Sequence, residues 1–190
     1  MKYDVILSGV GGQGVLSVAQ IITKAAVEEG LNVRQSEVHG MSQRGGAVIA
    51  HLRISDKTVC ADLVPRGGAD LILSMEPLES LRYAEWLKPG GALVSAAEPV
   101  VNITNYPDLE GIIKALKTFP VCKVVEATAL AKEAGLARAV NMVMVGAASA
   151  FLPLNEKTLE KTIEELFASK DASAVEANKK AFALGKNAAK

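Results

Sequence analysis

The chain has 190 residues, of which 49% are apolar and 22% are charged, with 21 basic and 21 acidic side chains. This composition is that of an ordinary globular domain, and it excludes intrinsic disorder, a collagen-like repeat and a disulfide-rich secreted class. A formal charge of zero and only 4% aromatic residues disfavour a nucleic-acid surface, which needs a basic excess and stacking rings. The length predicts a single domain over residues 1–190.

The two cysteines, Cys60 and Cys122, are far apart and in no CxxC context, which predicts reduced thiols. Two thiols cannot hold an iron–sulfur cluster, because such a cluster takes four thiolates. The N-terminal residues lack the pattern of a signal peptide, and no apolar stretch reaches the roughly 18 residues of a membrane span. We therefore expect a cytoplasmic protein that has neither a membrane nor a nucleic acid as its partner.

The N-terminal third alternates apolar runs with turn residues. The pattern predicts a strand over 3–8, a helix over 13–29 that Gly30 ends, and a second strand over 31–38. This order is typical of a βαβ unit, which implies a parallel sheet and a right-handed crossover. A further strand is predicted over 47–54, and residues 58–60 can pair back on it as a hairpin.

The rest of the chain continues the alternation. Strands are predicted over 70–75, 92–96 and 123–126, and helices over 77–86, 110–118, 128–135, 141–151 and from 155 onward. The fold class is therefore α/β: a single-domain, open, mostly parallel Rossmann-like sheet flanked by helices, to which the hairpin at 47–60 adds antiparallel strands. The apolar stripe of the last segment, which includes Leu159 and Ile163, is expected to pack on the sheet of its own chain; packing on another chain is the alternative.

A glycine motif follows the first predicted strand and opens the first predicted helix. Its pattern, Gly9-x-Gly11-x-x-Gly14, is that of the dinucleotide-binding fingerprint. Glycines allow a tight turn and close approach of a ligand, and the free N–H groups at a helix start favour a phosphate. The alternative is close helix–sheet packing alone. The candidate ligand contacts are Gly9, Gly11, Gly12, Gln13 and Gly14.

An NAD site also needs an acidic residue about 20 residues further on, to hold the ribose. Glu37 lies near this position, but Arg34, Gln35 and Ser36 crowd it, so NAD is not the favoured ligand. A methyltransferase is disfavoured for the same reason, because it needs a clear acid at the end of the second strand.

A second polar, glycine-rich segment, Glu37–Gly46, lies between a strand expected to be buried and the next strand. Open α/β sheets bind ligands at such loops. Arg44 can present a bidentate fork to a phosphate or carboxylate; it and the weaker candidate His39 are the candidate catalytic residues. A solvated loop with a local salt bridge is the alternative. His51, on a predicted strand, is expected to be structural.

These two motifs, together with Asn141 before an apolar helix, closely resemble one family: the gamma-type subunit or domain of the 2-oxoacid:ferredoxin oxidoreductases. The resemblance covers almost the whole chain in length and order. It implies oxidative decarboxylation of a 2-oxo acid on thiamine diphosphate, with electrons passing through iron–sulfur clusters to ferredoxin and the acyl group passing to coenzyme A. The substrate implied is an aryl pyruvate; pyruvate, a branched-chain 2-oxo acid and 2-oxoglutarate are the alternatives.

The resemblance also implies a partner, because this chain has no Gly-Asp-Gly thiamine motif and no cysteine-rich motif. Thiamine diphosphate and the clusters then belong to a larger subunit, ferredoxin accepts the electrons of the complex, and this chain binds no cofactor or metal alone and is inactive alone. Its part is to complete the substrate or coenzyme A site. A stand-alone Rossmann-like nucleotide-binding protein is the alternative function.

The implied site joins the glycine motif, which approaches a phosphate or the partner backbone, to the second loop, where Arg44 offsets negative charge. Asn141 is predicted to cap its helix, and the resemblance adds a ligand or interface role. The two loops are expected to be adjacent at the rim of the sheet. The second loop contributes Glu37, His39, Ser42, Gln43 and Arg44.

Overall fold

A computed structural model of the chain describes residues 1–40 and 45–190. Six strands in these ranges are β1 (Lys2–Val10), β2 (Asn32–His39), β3 (Ala47–Ser55), β4 (Ala69–Ser74), β5 (Leu87–Ala96) and β6 (Cys122–Val125). The helices are α1 (Val15–Glu28), α2 (Pro77–Arg82), α3 (Leu109–Leu116), α4 (Ala127–Glu133), α5 (Val140–Ser149), α6 (Glu156–Phe167) and α7 (Ala172–Ala188), with a 3-10 turn at Ala84–Trp86. No helix in the described ranges is both long and apolar enough to span a bilayer.

The strands form one sheet in the order β2-β3-β1-β4-β5-β6. β1, β4, β5 and β6 are mutually parallel, whereas β3 is antiparallel to both of its neighbours, β1 and β2. Five of the six strands therefore run in one direction. The predicted α/β class, with an open and mostly parallel sheet flanked by helices, is confirmed.

Two predictions about the first half of the sheet are wrong. β2 runs in the direction of β1, as a βαβ unit requires, but β3 is inserted between them and β2 lies at the sheet edge with most of its side chains exposed. It is not a buried strand. The hairpin partner predicted at 58–60 forms no strand, although the structure describes these residues. Both edges of β3 are already occupied by β1 and β2, so no edge is left for it.

The hydrophobic core lies on both faces of the sheet, because successive strand residues point to opposite sides. On one face, Val5 and Leu7 of β1 join the apolar sides of α1, α5, α6 and α7; on the other, Ile6 packs with the side chains of α3. Leu159 and Ile163 of α6 are fully buried where α6 packs against α1 and α7. The helix packs within its own chain, as predicted, but it packs mainly on the helices α1 and α7 and not on the sheet.

Helix α5 is held in place by an unusually close crossing with α7. A Cβ added to Gly146 lies 1.9 Å from the carbonyl oxygen of Phe182, and one added to Gly185 lies 1.9 Å from the carbonyl oxygen of Val143. Only glycine fits at either position, because real Cβ atoms do not approach backbone so closely. The crossing fixes the position of α5, whose first turn borders the functional site.

Candidate functional site

The segment Val10–Gly14, here called the glycine turn, links the carboxyl end of β1 to the start of α1. Gly12 and Gly14 have φ angles of 103° and 81°, in the region that side chains rarely adopt, so glycine is required by the backbone. Gly14 is also the residue that caps the start of α1. The turn thus presents the free N–H groups of the first helical turn at the sheet rim, where they favour an anion.

Gly9 and Gln13 are committed to contacts inside the chain. A Cβ on Gly9 lies 2.9 Å from Cγ2 of Val15 and 3.0 Å from Cβ of Met75, so this glycine permits close packing. The Gln13 side chain accepts a hydrogen bond from the N–H of Val10 at 2.7 Å and donates one to the carbonyl of Met75 at 2.8 Å. It therefore ties the end of β1 to the end of β4.

The glycine turn and the end of the second loop are joined backbone to backbone. The N–H of Gly11 donates to the carbonyl of Gly46 at 2.8 Å, and the N–H of Gly45 donates to the carbonyl of Gly11 at 3.2 Å. The glycine turn and the described end of the second loop, residues 45–46, are therefore adjacent at the rim. Ser42, Gln43 and Arg44 lie outside the described residues.

A cleft of about 430 Å³, here called the outer cleft, opens beside the glycine turn on the β2–β3 side. Leu16, His39 and Val48 line it together with the turn. The His39 side chain is exposed, and its Nδ1 lies 3.4 Å from the carbonyl oxygen of Gly40. The walls are mainly apolar, with the histidine at the edge.

A second cleft, the inner cleft, lies on the other side of the turn, where β4 and β5 end. It has a volume of about 440 Å³, and Gly12 lines both clefts. Among the described residues, two charged side chains line the inner cleft, those of Glu98 and Arg138. Oε1 of Glu98 accepts from the N–H of Thr128 at 2.6 Å, whereas its Oε2 is buried and has no hydrogen-bond partner within the described ranges.

Sequence reasoning missed both Glu98 and Arg138. Glu98 comes two residues after the predicted strand 92–96, and polar residues that follow parallel strands commonly face ligands. That position was the available signal. Arg138 follows a helix that no motif marks, and only the fold brings it to the rim.

Asn141 does not cap its helix, contrary to the prediction. The cap position of α5 is Ala139, and Asn141 is the second helical residue, with its Oδ1 accepting from the N–H of Met142 at 3.1 Å. Its Nδ2 lies 3.0 Å from the position that a Cβ on Gly14 occupies. The close crossing of α5 with α7 seats Asn141 directly against the glycine turn.

Glu37 lies on β2, which is separated from β1 by β3. Two strand spacings of about 4.8 Å put β2 about 10 Å from β1, whereas the acid of a dinucleotide fingerprint follows the strand adjacent to the glycine motif. The Glu37 carboxylate accepts from Nε2 of Gln35 at 3.4 Å. This geometry disfavours an NAD site of the usual kind.

His51 is structural, as predicted. It is buried on β3, and its Nδ1 accepts a hydrogen bond from the N–H of Val64 at 3.1 Å. Burial lowers the pKa of this imidazole, and the nearby charge of Arg53 lowers it further. The neutral ring is therefore the favoured form, and it anchors the segment that follows β3.

The two free thiols are separated in the fold. Cys60 is exposed in the segment after β3. Cys122 is the first residue of β6, the edge strand that lies three strands beyond β1 on the side away from β3. Within residues 1–40 and 45–190, no group of three or more histidine, cysteine or acidic side chains is arranged to hold a metal ion.

Comparison with known proteins agrees with this geometry. Residues 4–188 match the protein family described as pyruvate ferredoxin/flavodoxin oxidoreductase. The sequence is 40% identical to indolepyruvate oxidoreductase subunit IorB of Pyrococcus horikoshii, with 100% of this chain and 96% of that protein covered.

Solved structures share the fold. The gamma subunit of a keto/oxoacid ferredoxin oxidoreductase from Geobacter sulfurreducens is 26% identical and superposes with a TM-score of 0.72 over 98% of both chains. A 2-oxoglutarate:ferredoxin oxidoreductase from Magnetococcus marinus, with 2-oxoglutarate, coenzyme A and succinyl-CoA bound, has a TM-score of 0.76. That likeness covers 99% of this chain and 31% of the other at 22% identity, and it concerns the fold alone.

Proposed function

Because this chain belongs to the pyruvate ferredoxin/flavodoxin oxidoreductase family, we propose that it is the small subunit of a 2-oxoacid:ferredoxin oxidoreductase complex. The subunit completes a site whose reactive groups belong to a larger partner chain. The observation that carries the proposal is the backbone pairing of Gly11 with Gly45 and Gly46. This pairing joins the glycine turn to the end of the second loop at the rim of the sheet, where the outer and inner clefts lie on either side of the turn. The name of the Pyrococcus relative supports indolepyruvate as the 2-oxo acid.

The larger partner carries thiamine diphosphate and iron–sulfur clusters, which supply the decarboxylation and the electron transfer to ferredoxin. The residues of this chain do not fit either group. It has two cysteines and no Gly-Asp-Gly sequence. Its own contribution is to bind and orient coenzyme A, the acyl acceptor, and to shield the shared site from water. The proposed complex works in the cytoplasm.

Three features of the rim suit coenzyme A. The glycine turn offers N–H groups to a phosphate. Apart from the chain neighbours of Gly12, no atom of the described residues lies within 4 Å of a Cβ position on it, so among these residues the backbone is open to close approach. Arg138 brings a positive charge to the inner cleft, and phosphate contacts of arginine are strong and directional. Oε2 of Glu98, unpaired among the described residues, can accept from an amide or amino N–H of the ligand.

Coexpression with the larger chain tests the proposal. We expect a stable complex that reduces ferredoxin with a panel of 2-oxo acids, fastest with indolepyruvate and only when coenzyme A is present. The isolated 190-residue chain is expected to be inactive. Failure to copurify with the larger chain, together with tight NAD binding by the isolated chain, contradicts the proposal and supports a stand-alone nucleotide-binding protein.

A further inference from the structure

A segment without helix or strand crosses the rim between β5 and α3; residues 99–106 of it are here called the rim strap. Its first residues, Pro99 and Val100, line the inner cleft. Further along, Nδ2 of Asn102 donates to the carbonyl of Gly45 at 2.7 Å. The rim strap thus connects a wall of the inner cleft to the residue that pairs with the glycine turn.

One buried carboxylate, that of Glu76, holds both ends of the rim strap. Glu76 is 1% exposed, and its Oε1 accepts from the N–H of Val100 at 3.3 Å and from the hydroxyl of Tyr106. Its Oε2 accepts from the N–H of Glu79 at 2.8 Å and so caps α2. Burial raises the pKa of Tyr106, and the hydrogen bond from Tyr106 to Glu76 raises it further. The Tyr106 hydroxyl therefore keeps its proton and remains a donor.

The neighbour of Glu76 in the chain holds the other wall of the cleft. The carbonyl of Met75 accepts from Nε2 of Gln13 in the glycine turn at 2.8 Å. The two residues that follow β4 therefore tether the glycine turn on one side and the rim strap on the other. A change at Glu76 releases one wall while the other stays attached.

We infer that Glu76 is a positioning residue, which acts through Val100, Tyr106 and Asn102 to fix the rim strap against the glycine turn and so preform the coenzyme A site. This inference rests on the proposed function. Its physical basis is preorganisation: a wall held in its bound geometry before the ligand arrives does not have to be ordered during binding. Releasing the wall weakens binding of coenzyme A without touching the reacting atoms.

Two mild variants test the inference, because Glu76→Ala leaves several buried donors unsatisfied and can fail to fold. Tyr106→Phe removes one anchor of the strap, and Asn102→Ala removes the exposed contact to Gly45. Tyr3→Phe is the matched control, since it also removes one partly buried tyrosine hydrogen bond, to the carbonyl of Phe151, away from both clefts.

The first measurement is amide hydrogen exchange on the isolated full chain. Tyr106→Phe is expected to speed exchange at Val100, and both Tyr106→Phe and Asn102→Ala to speed it at Gly11 and Gly45, whereas Tyr3→Phe changes none of the three. The second measurement is steady-state turnover of the reconstituted complex. Both strap variants are expected to raise KM for coenzyme A about threefold to tenfold with kcat within about twofold, which matches the loss of roughly one hydrogen bond.

Glu76→Gln supplies the conservative comparison. It keeps a carbonyl acceptor for Tyr106 and Val100, so its KM is expected between those of the wild type and Tyr106→Phe. The inference is overturned if Tyr106→Phe and Asn102→Ala leave exchange at Gly11 and Gly45 unchanged. It is also overturned if the KM of both variants for coenzyme A equals that of Tyr3→Phe. A wild-type complex that shows no turnover dependent on coenzyme A instead defeats the proposed function, and the exchange measurement then decides the positioning role by itself.

Discussion

Glycines serve opposite purposes in two regions of this molecule. At the crossing of α5 and α7, Gly146 and Gly185 have neighbouring backbone 1.9 Å from where a Cβ lies. At the rim, Gly12 has a φ of 103°, and apart from its chain neighbours no atom of residues 1–40 and 45–190 lies within 4 Å of its Cβ position. The first region is closed by packing, and the second is left open with its backbone exposed. Open space beside a strained glycine points to a ligand site where the glycine also lines a cleft, as Gly12 does on both sides of the turn.

The largest effect is expected in the closed region. Gly146→Ala or Gly185→Ala forces the two helices apart and lowers the free energy of unfolding by about 3 kcal/mol or more, the upper part of the range for overpacking. Chemical denaturation of the purified chain measures this. Gly111→Ala in α3 is the control, because its Cβ lies in ordinary contact with Asp108 at 3.6 Å; it is expected to be neutral or stabilising by up to about 1 kcal/mol. Equal stabilities for all three variants contradict the close crossing.

In the open region, we expect a substitution to change KM for coenzyme A by more than its small effect on the free energy of unfolding explains. Gly12→Ala costs about 1 kcal/mol of unfolding free energy because of its backbone conformation, but it also places a methyl group where a phosphate approaches. We expect KM for coenzyme A to rise at least about tenfold, the equivalent of about 1.4 kcal/mol. Gly135→Ala is matched in backbone strain, with a φ of 90° and equally open space, and should leave KM unchanged. Equal KM values for the two variants favour a purely structural turn.

The charge in the open region offers a smaller effect. Arg138→Ala is expected to raise KM for coenzyme A about fivefold, since an exposed arginine–phosphate contact contributes about 1 kcal/mol. Rising ionic strength should reduce the difference from the wild type, because salt screens exposed charges. Arg66→Ala, at an exposed arginine paired with Glu85, is the control and should show neither effect. A wild-type KM for Arg138→Ala removes this residue from the site.

The smallest effect concerns His51, a buried polar residue of β3 that lies outside both regions. Because burial lowers the pKa of His51, the unfolded chain binds its proton more readily than the folded chain. The contribution of His51 is therefore complete above the ordinary value of 6.5 and is lost as the pH falls through and below it. His51→Asn, which retains an acceptor for Val64, should flatten this part of the curve of unfolding free energy against pH. An identical curve for the variant contradicts the burial argument.

Much of the fold follows from local pattern. Local pattern predicts the strand before Gly9, the helix after Gly14 and the end of that helix near Gly30. It can do so because apolar spacing and glycine act over a few residues. The insertion of β3 between β1 and β2 was not predictable, since strand order depends on long-range pairing that no local spacing encodes. The same limit hid the crossing at Gly146 and Gly185, where each glycine is required by a residue of another helix.

The candidate site divides in the same way. The adjacency of the glycine turn and the second loop could be predicted, because both follow strands that run in one direction. The role of Asn141 was mistaken, since its helix starts one residue earlier than the apolar pattern suggests. The places of Glu98, Arg138 and Glu76 at the site depend on which segments the fold brings to the rim of the sheet. No sequence motif surrounds any of these three residues, so a search for motifs could not predict them.

A titration of the larger chain with this one tests the central claim most directly. Ferredoxin reduction, driven by indolepyruvate and coenzyme A, is measured at each molar ratio. A site shared between the chains predicts activity near zero without the small chain, a linear rise, and saturation at equivalence. Full activity of the larger chain by itself, or activity of the small chain by itself, contradicts the claim.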